Sequence, residues 1–139
     1  MNQQRHSATD HDTGGLTATE GERFARALAA KDSTALRSLL ANPIDFQALT
    51  PRRHWQASAP DEVIDDVILG MWFGSGADIE ALESFTISQL PDRTRVSYLL
   101  RVRKADGEYL VEQQVYFSTK DGRISWMRAL CSGYQKLPG

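Results

Sequence analysis

TRVSYLLRVRKADGEYLVEQQVYFSTKDGRISWMRALCSGY, residues 94 to 134, decides the fold. Apolar and polar residues alternate through it with the period of two that marks strands buried on one face. Two turn signals, Asp106-Gly107 and Asp121-Gly122, divide it. The result is three successive strands: Thr94 to Lys104, Glu108 to Thr119 and Arg123 to Tyr134. Taking Asp106-Gly107 as a two-residue loop pairs Val102 with Val111, Leu100 with Gln113, Tyr98 with Val115 and Val96 with Phe117. One face of that hairpin is nearly all apolar. The other carries Ser97, Arg101, Arg103, Glu112, Gln114 and Tyr116, with Arg101 opposite Glu112 as a cross-strand ion pair. The last strand has two possible registers. An extra bulged residue in the loop Thr119 to Gly122 turns Met127, Ala129 and Cys131 inward and Trp126, Arg128 and Leu130 outward, and a tight turn swaps the two sets. The first is expected, because the second would bury the Arg128 charge without a partner.

Upstream of this stretch, Glu83 to Gln89 reads as a further strand. Val63, Ile64, Val67, Ile68, Met71 and Trp72 form the strongest amphipathic helix. Ser58 and Pro60 mark its start, Asp61 and Glu62 sit in its first turn, and Gly74-Ser75-Gly76 ends it. Ile44 to Thr50 reads as a short strand closed by Pro51, followed by an irregular stretch with His54 and Trp55. Asp32 or Ser33 caps a short helix with a Leu36, Leu39, Leu40 stripe, which Asn42-Pro43 stops. A first helix runs from a capping-box spacing at Thr17 and Glu20 to about Ala30. Residues 1 to 15 hold only Met1 and Ala8 as apolar residues and are expected to be a disordered, dispensable leader. The reading is therefore one domain over 16 to 139, of class α+β, with three helices of the N-terminal half packed on a curved antiparallel sheet.

Composition narrows the function classes. The 139 residues include 16 basic and 18 acidic ones with no basic cluster, which argues against a nucleic-acid partner. No apolar run approaches the roughly 20 residues that span a bilayer, and the N-terminus lacks an apolar signal region, so no membrane association and a cytoplasmic location are expected. Cys131 is the single cysteine, which rules out an intrachain disulfide. Two of the three histidines, His6 and His11, lie in the leader, leaving only His54 in the body for a Cys/His metal site. Asp61, Glu62, Asp65 and Asp66 suit a helix start and a solvated face. No metal and no cofactor are implied.

The order of elements, together with FARALAAKD (24–32), LLANPIDFQALTP (39–51) and FSTKDGRISWMRAL (117–130), resembles the nuclear transport factor 2-like superfamily, which includes ketosteroid isomerases, SnoaL-like polyketide cyclases and limonene epoxide hydrolases. The resemblance covers about residues 17 to 135. It implies a cone-shaped half barrel, a pocket between helices and sheet, and a homodimer formed through the outer sheet face. Laid on the isomerases, the oxyanion-stabilising tyrosine falls on Phe24, the general-base aspartate on Thr50, and the protonated aspartate on Gln113 when the DGRI turn is aligned with one extra residue. The acidic positions of the cyclases and epoxide hydrolases fall around Ala129 and Ser132. Every acid and base of the familiar chemistries is thus replaced.

The residues expected to line the pocket are Phe24, Thr50, Trp55, Tyr98, Leu100, Gln113, Val115, Met127, Ala129 and Cys131. Gln113 lies on the apolar hairpin face, where its amide needs a partner: a loop backbone, a core water or a ligand. Tyr98 is either core or a hydroxyl donor. His54, the one group of near-neutral pKa in the body, is the only candidate general base. Three readings follow. The first is a protein binding a small hydrophobic or aromatic ligand; the second is a SnoaL-like isomerase, cyclase or hydratase using His54; the third is a dimerisation module whose interior is filled by its own side chains.

Overall fold

Period-two alternation in the second half of the chain builds one sheet, and the helices before it cover one of its faces. The computed structural model describes Gln4–Arg5 and residues 16–139. In chain order the elements are β1 (Gln4–Arg5), α1 (Leu16–Ala29), α2 (Ser33–Ser38), β2 (Leu40–Thr50), β3 (Arg53–Ala57), α3 (Glu62–Trp72), β4 (Asp78–Gln89), β5 (Thr94–Lys104), β6 (Gly107–Lys120), β7 (Arg123–Cys131) and β8 (Gln135–Lys136). The strands order as β1-β4-β5-β6-β7-β2-β3, with β8 on β6, in a curved sheet. Apart from Gln4–Arg5, which pairs with Thr86 and Ile87 of β4, the proposed leader lies outside the described residues.

α1 buries Phe24, Ala25 and Leu28 against β4 and β5. α2 is held by its cap, by one leucine and by an ion pair to α3: Asp32 Oδ1 accepts from the Ala35 amide at 3.0 Å, Leu36 is buried, and Arg37 pairs with Asp65 at 2.8 Å. Between α1 and α2, Lys31 adopts a positive φ of 51°, and its Nζ donates to the carbonyls of Gly74 and Ala77. This pins the loop after α3.

α3 is wound as a π-helix, with Phe73 N–H donating to the Ile68 carbonyl at 2.8 Å. Each turn holds more residues than the 3.6 of an α-helix, so Trp72, nine residues after Val63, returns to the same face. Trp72 packs on Phe46 and Trp55, whereas Met71, expected on the apolar stripe, is 62% exposed.

Several local expectations are corrected. The hairpin loop is Ala105–Asp106, with Lys104 paired to Gly107, so the β5–β6 register moves by two residues: Tyr98 faces Gln113, Leu100 faces Val111 and Val96 faces Val115. Gly107, at φ 143°, is the first paired residue after the turn, a conformation that glycine alone adopts easily. A shift of two preserves both faces but changes every partner. Arg101 lies across from Leu110, not Glu112, and forms ion pairs with Glu83 and Glu108 at 2.9 Å each. His54 and Trp55 lie on a strand, β3, instead of an irregular stretch. Asn42-Pro43, joined by a cis peptide, falls inside β2 at a break in its pairing, instead of stopping α2. The sheet is also not wholly antiparallel, because β2 runs parallel to β7.

At the last strand the turn is tight, Lys120 against Arg123, and the extra residue sits one step later at Ser125, between the Thr119–Ile124 and Ser118–Trp126 pairs. The bulge restores the inward set: Met127 and Ala129 are buried, while Leu130 is 58% exposed. Arg128 stays outside, bonded to the Asp45 carbonyl and stacked over Trp126.

Candidate functional site

The inner sheet face can be followed in rows that cross neighbouring strands. One row is apolar: Ile87, Val96, Val115, Ala129, Ala48 and Trp55. The adjacent row runs Phe85, Tyr98, Gln113 and Cys131, and continues to Thr50, which follows the Leu49–Leu130 pair. Polarity in that row is graded by depth. Tyr98 and Gln113 are buried at 2% and 1% exposure, and Cys131 and Thr50 are half-buried at the open end.

Tyr98 donates its hydroxyl to Gln113 Oε1 at 2.7 Å. The other corner of the carboxamide, Nε2, is buried with no hydrogen-bond partner. Burial pushes the Tyr98 phenol well above its usual range, and the nearby Cys131 charge adds to that. The row therefore presents a buried N–H donor, a phenol held protonated and a thiol, without carboxylate or imidazole. It can orient an oxygen acceptor, but it contains no general base of the kind used by isomerases.

Aromatic side chains cluster at the half-buried end of this row. Trp55 Nε1 donates to Thr50 Oγ1 at 2.8 Å, the Trp55 ring meets Trp72 edge-on at 6.1 Å, and the Arg53 guanidinium lies 3.5 Å over Trp55. Tyr134 returns over this end and donates to the Trp72 carbonyl at 2.6 Å. Its phenol is pushed up to about 12, mainly by burial. Gly133 makes that return possible: its φ is 77°, and a Cβ there would lie 2.7 Å from the Pro51 ring. Tyr134 and Gly133 were not among the sequence candidates. The Ser-Gly-Tyr ending after a strand was the available signal, since glycine there permits the chain to fold back.

The expected lining residues thus fall on one side of the sheet. Phe24 of α1 approaches Tyr98 at 6.3 Å between ring centres, and Leu100, Val115, Met127 and Ala129 fill the interior beside them. His54 is not with them. Alternation along β3 turns Trp55 in and His54 out, where His54 Nε2 lies 2.9 Å from Gln47 Oε1. The reading of His54 as a base at the inner pocket fails on this geometry. On the outer face it borders a hollow of about 510 Å³, together with Gln47, Leu49, Gln114, Tyr116 and Leu130. Among the described residues, no cluster of three His, Cys, Asp or Glu side chains is placed to hold a metal, and no helix is long and apolar enough to cross a membrane.

No family model and no curated protein matches the chain. Among solved structures, a Bacillus subtilis protein named as a candidate isomerase is 12% identical, with a TM-score of 0.70 over 84% of this chain and 86% of its own. A candidate polyketide cyclase from Xanthomonas campestris pv. campestris is 11% identical, with a TM-score of 0.66 over 83% and 89%. An LEH-like epoxide hydrolase from M. tuberculosis is 12% identical, with a TM-score of 0.63 over 84% and 83%. These likenesses show the fold, the nuclear transport factor 2-like cone of helices on a curved sheet.

Proposed function

We propose that this nuclear transport factor 2-like chain is a cytoplasmic homodimer that binds a small hydrophobic or aromatic molecule on the inner face of its cone, with Gln113 orienting it. The observation that carries the reading is Gln113 Nε2, a buried amide donor without a protein partner. Leaving such a group unpaired costs about 1–3 kcal/mol, and a ligand carbonyl or hydroxyl oxygen would remove that cost. The interior around it is apolar, with Leu100, Val115, Phe24 and Met127 in one packed core, so the ligand body has to be apolar and has to part these side chains to reach Nε2. The names of the structural neighbours, isomerase, cyclase and epoxide hydrolase, also favour a ligand inside the cone. Self-association is supported by the outer face, where Leu49 and Leu130 are 52% and 58% exposed beside Tyr116.

Gln113→Leu tests the reading with benzylacetone, a saturated aromatic ketone, as probe. Loss of the donor weakens binding by about 1–3 kcal/mol, roughly 5- to 150-fold, with the melting temperature little changed. A fall in stability with unchanged affinity for the ketone sinks the ligand role of Gln113.

A further inference from the structure

The outer sheet face also falls into rows that cross neighbouring strands. Ser97, Gln114, Leu130, Leu49 and His54 lie side by side in one of them, and both leucines are exposed. The row on one side of it holds Arg95, Tyr116 and Arg128, in direct register across β5, β6 and β7. The row on the other side holds Leu99 and Glu112. Two charges in these flanking rows lack an opposite partner among the described residues. Arg95 donates to Ser88 Oγ at 2.7 Å, but its Nε is buried without a hydrogen bond and no carboxylate pairs with it. Glu112 is exposed, and its carboxylate has neither an ion pair nor a hydrogen bond. Between the two arginines, the Tyr116 hydroxyl accepts from Gln114 Nε2 at 3.2 Å, which leaves its own proton for a further acceptor.

We propose that two copies of the chain pack outer face to outer face about a two-fold axis lying along the row of Gln114, Leu130 and Leu49, so that Glu112 of each copy enters between Arg95 and Arg128 of the other, over Tyr116. The proposal rests on the homodimer reading above and specifies its geometry. An axis in that direction reverses the strands but keeps each position across them, so β6 lies on the partner's β6 with residue 116 over residue 112. Both residues are two steps from Gln114, about 7 Å along the strand. Aligned packing of twisted sheets sets the strands at about 30°, which over that length moves a residue sideways by less than the spacing of two strands. Leu130 and Leu49 lie on the axis, meet their own counterparts and form the apolar centre, with the charges flanking it. An axis running along β6 instead sets Arg95 over the partner's Arg128 and Glu112 over the partner's Glu112, like against like. Of the two directions, only the cross-strand axis joins the unpaired carboxylate to the unpaired guanidinium, and symmetry makes it do so twice.

The test follows self-association of the full chain by analytical ultracentrifugation. Glu112→Arg and Arg95→Glu each reverse one charge of the contact. Each alone is expected to raise the dimer dissociation constant at least about tenfold, because like charges then face each other at both symmetry-related contacts. An equimolar mixture of the two variants is expected to form a heterodimer of nearly natural affinity, since the substituted positions oppose each other at one contact and the other keeps its natural pair. Within one chain the two positions stand about 14 Å apart, four residues along the sheet and one strand across, so the rescue has to come from the partner. Should Arg95→Glu fail to fold by circular dichroism, Arg128→Glu, on the other side of Tyr116, takes its place in the mixture. Single variants that dimerise as tightly as the natural chain, or a mixture no more associated than its components, overturn this axis alone. A natural chain that is monomeric at micromolar concentration overturns it together with the homodimer reading.

Discussion

Replacing Tyr98 with phenylalanine removes one oxygen from the interior and leaves the Gln113 carboxamide with both ends unpaired. The hydroxyl-to-Oε1 bond is 2.7 Å long between residues 2% and 1% exposed, so water does not replace the lost partner. Stranding a buried acceptor of this kind costs about 1–3 kcal/mol. At about 3 °C per kcal/mol for a domain of this size, Tyr98→Phe should lower the melting temperature by about 3–9 °C. Gln113→Leu works differently. It removes the unpaired Nε2 but strands the Tyr98 hydroxyl, and the two effects are of similar size and opposite sign. The double variant Tyr98→Phe/Gln113→Leu leaves no polar group in either place, so its stability should equal or exceed that of the natural chain. Urea unfolding of all four proteins gives the coupling, expected at about 1–3 kcal/mol. A double variant that loses the sum of the two single losses would show that the pair is not coupled, and would refute the account of the interior.

Two further predictions use other parts of the molecule. Leu130→Glu places a charge on the exposed outer face beside Leu49 and Tyr116; light scattering at micromolar concentration should find a dimer for the natural chain and a monomer for the variant, and a monomeric natural chain would remove the interface. Glu20 of α1 has a buried carboxylate oxygen without a partner among the described residues, and burial raises its pKa above 4.5, partly offset by Arg23. Its ionised form therefore costs stability at neutral pH, so Glu20→Gln should raise the melting temperature at pH 7, with the gain shrinking as pH falls through the raised pKa and gone below 4.5. A constant gain at every pH would exclude this cause.

Alternation alone identified the inner face, because side-chain direction depends only on odd or even position. That is why Tyr98, Leu100, Gln113 and Val115 were correctly grouped although the hairpin partners were two residues out. The partner of Tyr98 was not legible, since Asp106-Gly107 fits a loop holding both residues as well as one that ends before glycine. β3 was missed because Arg53 to Ala57 is short, polar at alternate positions and bounded by no turn signal after Pro51; with it went the side on which His54 lies. The parallel contact of β2 with β7 lies beyond any local pattern, because alternation within a strand says nothing about its neighbour. Helical period could not distinguish α from π winding over eleven residues, although the i, i+4, i+5, i+9 spacing of Val63, Val67, Ile68 and Trp72 fits the wider turn.

The parallel junction bears on how the protein is made. Among the described residues, β2 and β3 reach the rest of the sheet only through β7, by pairs such as Phe46 with Met127 and Leu49 with Leu130. On the ribosome, the β2–β3 pair therefore waits for its parallel neighbour until almost the entire chain has emerged. Until then one edge of β2 has no strand beside it, and closing so large a loop makes this the slowest pairing to form. A ribosome stalled before residue 131 would display that strand to chaperones, and any variant that delays β7 would lengthen its exposure.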